Sequence, residues 1–156
     1  AAHDGKMYPL QLMDKVVKLF AARENVRIFL FGFGEKEERA IDILRERCED
    51  KTVNMARSRL GLSAELALLS HCDAMLSMDS ANMHLASLVG LRAVSVWGAT
   101  HPFAGFYGAG QNPDDAVQTD MPCRPCSIFG SKPCRRGDYA CLTKIPPEKI
   151  VSALKS

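Results

Sequence analysis

The chain has 156 residues, about one domain by length, and can bury a core without disulfide or metal staples. Hydrophobic residues make up 47% and charged residues 24%, which excludes collagen-like and disordered classes. Lys and Arg total 20 against 18 Asp and Glu, a net +2 that argues against a nucleic-acid binder with a basic stripe. No apolar run is long enough for a transmembrane helix, and the first ten residues lack the apolar centre of a signal peptide.

Residues 9 to 22 start at Pro9 and carry Met13, Val16, Val17 and Phe20 at helical spacing. Residues 26 to 31 are β-branched and aromatic, end at Gly32 and Gly34, and predict a buried strand. Residues 35 to 49 predict a helix with Ile41, Leu44 and Cys48 as its stripe and acids in its first turn. A short strand is expected at 52 to 56, then a helix capped by Ser63 and running through Leu69. Residues 74 to 78 predict a strand, 81 to 89 a helix closed by Gly90, and 93 to 97 a strand ended by Gly98. Residues 98 to 145 break this rhythm, and 146 to 155 predict a last helix. The alternation predicts an α/β fold, a Rossmann-like, doubly wound parallel sheet with helices on both faces. A strand normally precedes the first helix in such a fold.

Ligands bind such sheets beyond the carboxyl ends of the strands. Three loops qualify. Gly32, Phe33, Gly34 and Glu35 make a tight turn, but Glu37 stands where a dinucleotide fingerprint needs glycine. In the second loop, Asp79 and Ser80 lead from a strand into a helix, with His84 one turn on. A helix start offers free amides to a phosphate, and Ser80 adds a hydroxyl. A simple helix cap with a packed His84 is the plainer reading of the same residues. The third loop, Gly98 to Pro102, has small residues that permit close approach. Lys6, just before the first helix, could reach a phosphate at the same sheet edge.

Cys48 and Cys72 stand apart, whereas Cys123, Cys126, Cys134 and Cys141 fall within one stretch. Their spread does not resemble a secreted disulfide scaffold, which points to a cytoplasmic protein with reduced thiols. The CxxC pair with two further cysteines suits a structural zinc site, with disulfides and free thiols as the alternatives.

From Asp79 through Ser80, His84, Ala86, Gly90, Gly98 and Thr100 to Pro102, the residues resemble the signature of the lipopolysaccharide heptosyltransferases, glycosyltransferase family nine. Ala81 stands where that family has glycine. The segment from Lys6 to Pro9 resembles the family's opening K-x-[WY]-P, and the four clustered cysteines fall where many members carry them. The resemblance implies one half of a GT-B glycosyltransferase: residues 1–156 as the C-terminal donor-binding domain, with 121–142 as a cysteine-rich loop. It implies an ADP-sugar donor, probed by Lys6 at the diphosphate and Asp79 at the heptose hydroxyls. Ser80 and Ala81 would offer amides to phosphate, His84 would brace the loop or touch phosphate, Leu60 would line the adenine site, and Glu35 would meet the ribose. The resemblance also implies catalysis without a metal or cofactor. The catalytic base and the glycolipid acceptor site would lie in an N-terminal domain, so this chain alone would bind nucleotide and catalyse little. The implied location is cytoplasmic, peripheral at the inner membrane. A stand-alone nucleotide-binding domain and a zinc-braced interaction module are the competing readings.

Overall fold

A computed structural model describes residues 3–58 and 60–155 of the chain. Helix α1 (Leu10–Ala21) is followed by strand β1 (Ile28–Leu30), helix α2 (Glu35–Arg45) and strand β2 (Thr52–Asn54). Then come α3 (Leu62–Leu69), β3 (Met75–Met78), α4 (Ala81–Leu88) and β4 (Ala93–Trp97). A long, mostly irregular stretch holds two short 3-10 turns (Pro102–Ala104 and Pro113–Asp115) and the short strand β5 (Ala116–Gln118), before α5 (Ala140–Thr143) and α6 (Pro147–Lys155).

Every strand pairing is parallel. β4 is the middle of a three-stranded sheet, flanked by β3 and β5. It is buried along its whole length, because helices cover both faces. Val94 and Val96 face a core built with Val16 of α1, Leu142 of α5 and Ile150 of α6. Ala93 and Trp97 face the other way, onto Leu69 of α3 and Met83 and Ala86 of α4. This is the period-two pattern of a strand read from both sides.

The expected single sheet is divided, however. β1 and β2 form a separate pair, with Ile28 opposite Thr52 and Leu30 opposite Asn54. Between β1 and β3 lies an apolar cavity of about 1480 Å³. Helix α1 spans the division: its Val16 belongs to the core under β4, while its Val17 packs with Leu44 and Cys48 on the β1 side.

Other departures are local. The second helix stops at Arg45 rather than 49, because Glu46 turns extended and Arg47 takes a positive φ of 69°. Cys48 still reaches the core, but from the turn beyond the helix. Helix α3 begins at Leu62, and its N-cap position is Gly61 (φ 78°), not Ser63. Strand β5 and helix α5 were not expected from sequence. Three residues of strand are too few to show an alternating pattern, and the neighbouring Asn112, Pro113 and Asp114 read as a turn.

Two polar ties fasten the ends of the fold. Asp115, buried before β5, accepts from Arg92 Nε at 2.9 Å and Nη2 at 2.5 Å. Arg92 Nη2 also donates to the Ala153 carbonyl in α6 at 2.7 Å. The buried Tyr8 hydroxyl donates to the Ile145 carbonyl at 2.7 Å, joining the segment before α1 to the turn between α5 and α6.

Burial, with Glu148 nearby, pushes the Tyr8 phenol up to about 12. The fold therefore holds it protonated. Its contribution is full below the ordinary tyrosine value of about 10 and is lost as pH rises towards 12. Tyr8→Phe should cost about 1 kcal/mol at neutral pH. Urea midpoints taken at pH 8 and pH 11 should fall more steeply for the parent chain than for Tyr8→Phe; equal slopes would contradict this assignment.

Candidate functional site at the strand ends

Three segments converge beyond the carboxyl end of β4, and each brings a glycine. Gly5 lies before α1, Gly98 follows β4, and Gly130 lies in the cysteine-rich loop. The Ala99 amide donates to the Gly5 carbonyl at 2.8 Å, and the Ala99 carbonyl accepts from Cys126 at 3.1 Å and Ser127 at 3.3 Å. A Cβ on Gly5 would sit 2.7 Å from the Gly130 carbonyl oxygen and 2.9 Å from Ala99 Cβ. A Cβ on Gly98 would collide with the Gly5 carbonyl oxygen and lie 2.7 Å from Leu142 Cγ. Gly130 has a φ of 73°, and a Cβ there would stand 2.7 Å from Lys6 Cγ. Only hydrogen in place of each side chain lets the three backbones meet.

This junction aims Lys6. Its stem runs past Gly130 and its ammonium lies 2.9 Å from Asp79 Oδ2. Lys6 is 16% exposed and Asp79 only 4%. The contact is an ion pair without the geometry of a hydrogen bond. A buried carboxylate demands a cation nearby, and Lys6 is the group in place.

Asp79 leads directly into α4. Ser80 holds the N-cap position, but its side chain makes no capping hydrogen bond. Its hydroxyl shares a 3.0 Å hydrogen bond with the Ser77 hydroxyl instead, and Ser77 Oγ lies 2.8 Å from the Met78 carbonyl oxygen. The first amides of α4 are thus not satisfied by the serine that would ordinarily cap them. With the helix dipole, and beside the charge-balanced Lys6–Asp79 pair, they form a helix start suited to an anion.

Arg124 fixes the surrounding loops. Its guanidinium donates to the carbonyls of Gly98, Thr119 (2.5 Å) and Thr100 (2.9 Å), and to Gln118 Oε1 (3.1 Å). One planar group therefore gathers the chain leaving β4 and the chain leaving β5. Burial draws its pKa below the usual arginine value. Sequence reading passed over Arg124 because it sits inside Cys123-Arg124-Pro125-Cys126, where the cysteines claim attention.

The other expected residues divide. Glu35 opens α2, is 87% exposed and pairs with Arg39 at 3.1 Å. Glu37, not Glu35, holds the preceding turn, accepting from the Phe33 amide at 2.8 Å. Glu35 and Ser80 line the same cavity between β1 and β3. Ala81 and His84 are exposed on α4, so the packed-core reading of His84 fails. Leu60 is exposed just before α3. Thr100 is fully buried, so the third loop does not offer its hydroxyl outwards. His101 Nδ1 accepts from the Phe103 amide at 3.1 Å, and burial followed by the nearby Arg124 lowers its pKa.

The expected zinc cluster is not assembled. Cys123, Cys126, Cys134 and Cys141 are all free thiols. Among the described residues no three or more His, Cys, Asp or Glu side chains are arranged to hold a metal ion. Cys141 is turned into the core from α5, whereas Cys123 and Cys126 face solvent. Cys134 differs from the rest: the amide of Tyr139, then those of Arg136, Gly137 and Asp138, hold its thiol below the usual value. Burial pushes Cys48, Cys72 and Cys141 up.

Residues 1–135 match glycosyltransferase family 9 (heptosyltransferase). A lipooligosaccharide heptosyltransferase 2 of Campylobacter jejuni is 24% identical over 153 residues, 97% of this chain and 46% of that protein. Among solved structures, Escherichia coli ADP-heptose lipopolysaccharide heptosyltransferase II has a TM-score of 0.72 at 18% identity, covering 98% of this chain and 42% of that one. Escherichia coli heptosyltransferase WaaC with ADP-2-deoxy-2-fluoro heptose has a TM-score of 0.69 at 18% identity, covering 99% and 40%. The chain thus spans less than half the length of these relatives, and its α/β fold is shared with part of each.

Arg124→Lys keeps the charge but cannot reach four acceptors on two loops. It should lower stability by about 2 kcal/mol, read by urea unfolding. The Ala99 amide should also exchange faster; unchanged exchange would remove Arg124 from its place as the organiser. Cys134 should be the first of the six thiols alkylated by iodoacetamide at pH 7, as peptide mass spectrometry would show.

Proposed function

The chain belongs to glycosyltransferase family 9, the heptosyltransferase family, and on that premise we propose that it is the donor-binding part of an enzyme that transfers a heptose from ADP-heptose to a lipopolysaccharide-type glycolipid. The observation that carries this reading is the Lys6–Asp79 pair beside the uncapped start of α4.

A nucleoside diphosphate-sugar presents two phosphates and a ring of hydroxyls. The diphosphate belongs over the first amides of α4, with Lys6 at its oxygens. Asp79 orients Lys6 and, facing the same space, can accept from a sugar hydroxyl. Transfer breaks the bond between the sugar's anomeric carbon and the diphosphate oxygen, and negative charge grows on the departing ADP. A fixed ammonium and a helix N-terminus stabilise that charge as it forms, which lowers the barrier. Ala81, in place of glycine, adds a methyl group at the helix start and shapes how closely the donor approaches. His84, exposed one turn on, is positioned to meet phosphate, while Glu35 and Leu60 are the candidates for ribose and adenine.

The proposed acceptor hydroxyl needs a base, and that group, with the acceptor site, is assigned to the other half of a protein more than twice this length. Among the described residues no helix is long and apolar enough to cross a membrane. A glycolipid acceptor would bring the enzyme to a membrane face, and the cytoplasmic side is part of the same proposal.

Calorimetric titration of the chain with ADP and with UDP tests the donor site. ADP should bind, and Lys6→Ala should weaken it about tenfold or more, the usual worth of a charged contact. Gly130→Ala should weaken it too, since the added methyl group pushes Lys6 aside. Equal affinity in Lys6→Ala and the parent chain would sink the assignment.

A further inference from the structure

Phe103, Phe106, Ile128 and Phe129 stand exposed beside the site, Phe103 to 93%. They come from two loops. The first leaves β4 through Gly98 and Thr100 and carries Phe103 and Phe106. The second follows Cys126 and carries Ile128 and Phe129. The Ala99 carbonyl holds the two loops together by accepting from the amides of Cys126 and Ser127. The Phe106 and Phe129 rings then meet across them, with centroids 5.7 Å apart and planes tilted by 56°. Single exposed apolar residues are ordinary, but a joined group marks a surface that something covers.

The rings are held in place. His101 Nδ1 accepts from the Phe103 amide, and the His101 ring lies against the Phe103 ring with centroids 4.2 Å apart. Gly105, with a φ of 83°, closes that turn before Phe106. In the second loop the Lys132 amide donates to Ser127 Oγ at 3.5 Å, closing the turn on which Ile128 and Phe129 stand. Lys132 is itself exposed, and among the described residues no carboxylate pairs with it. The surface is thus aromatic, fixed and edged by one cation.

Its place names the occupant. Phe129 adjoins Gly130, which packs on the stem of Lys6, the group proposed to meet the donor diphosphate. Transfer requires an acceptor oxygen to bond to the anomeric carbon while that carbon's bond to the diphosphate oxygen breaks. The glycan of the acceptor must therefore come close to Lys6, whereas its lipid can trail away. A sugar ring has a face of C–H bonds that packs on an aromatic ring, with hydroxyls left at its rim for water. Aromatic side chains take such a face at little cost in conformational entropy. We propose, on the donor reading above, that Phe103 and the Phe106–Phe129 pair form a wall on which a sugar ring of the acceptor glycan stacks, with Lys132 meeting an anionic group of that glycan. This chain then supplies one wall of the acceptor site, and the base stays with the other half of the protein.

The test uses the chain saturated with ADP and, as probe, a water-soluble, deacylated lipopolysaccharide core oligosaccharide, followed by NMR. C–H protons of one sugar residue should move upfield, the ring-current mark of stacking. Phe103→Ala should weaken binding about fivefold, the usual worth of one aromatic contact. Phe103→Leu combined with Phe129→Leu should abolish the upfield shift, and Phe103→Tyr should keep it. Lys132→Gln should weaken binding and reduce its salt dependence. Absence of the shift in the parent chain, or its survival in the double leucine variant, would overturn the proposal. So would a dimer that Phe103→Ala dissociates, which would make a second copy the occupant. Binding to phosphatidylglycerol vesicles without binding to the oligosaccharide would overturn it in favour of a membrane surface. A parent chain that fails to bind ADP would overturn the donor reading and this one together, whereas ADP binding without a stacked sugar overturns this one alone.

Discussion

The site depends on one backbone hydrogen bond, from the Ala99 amide to the Gly5 carbonyl. It ties the chain entering α1 to the chain leaving β4, the most deeply buried strand. Among the described residues the Lys6 ammonium is held by Asp79, and its backbone by its own amide's bond to the His3 carbonyl and by its neighbour Gly5. Hydrogen atoms at Gly5, Gly98 and Gly130 are the condition for that closeness. Arg124 then braces the far side by drawing the carbonyls after β4 and β5 into one plane. Segments distant in sequence are thus held together through backbone groups.

The charge arrangement follows from burial. Asp79 is almost wholly withdrawn from water, and a carboxylate there is tolerated because Lys6 stands against it. The pair is neutral as a unit, so it does not repel an arriving phosphate as a bare aspartate would. An anion over α4 draws Lys6 towards itself without stripping Asp79, since one ammonium has three donors. Ser80 contributes by what it does not do. Its hydroxyl is engaged by Ser77, and the helix start stays open. A conventional serine cap would occupy an amide that the proposed phosphate uses.

Most of the architecture was legible because strong periodicity and glycine punctuation coincide. Strand 93 to 97 matches β4 residue for residue, and α4 differs from its expected span by a single residue. The failures have physical causes. β5 is too short to show alternation, and α2 ends early through backbone conformations at Glu46 and Arg47 that composition does not reveal. The division of the sheet could not be read at all, since strand patterns say what a segment is and not which neighbours it has. For the site, Lys6 and Asp79 were legible as residues of one sheet edge, but their ion pair was not, since the sequence assigned each to a different part of a ligand. Arg124 escaped because its role is to bind carbonyls, and carbonyls leave no trace in a sequence.

The cysteine-rich loop bears on the site through its backbone. Cys123, Cys126, Cys134 and Cys141 have a spacing that suits a metal, yet their sulfurs occupy different environments: two in solvent, one in a turn of amides, one in the core. What the loop contributes to the site is backbone. Cys126 and Ser127 give their amides to Ala99, and Gly130 makes room for Lys6. The loop therefore sits on the ligand side of the sheet as a structural wall. A change that leaves every thiol in place but alters the backbone at Gly130 reaches the Lys6 ammonium directly. Removing the exposed thiol of Cys123 leaves those backbone contacts standing. Through Gly130 the loop bears on where the Lys6 side chain lies.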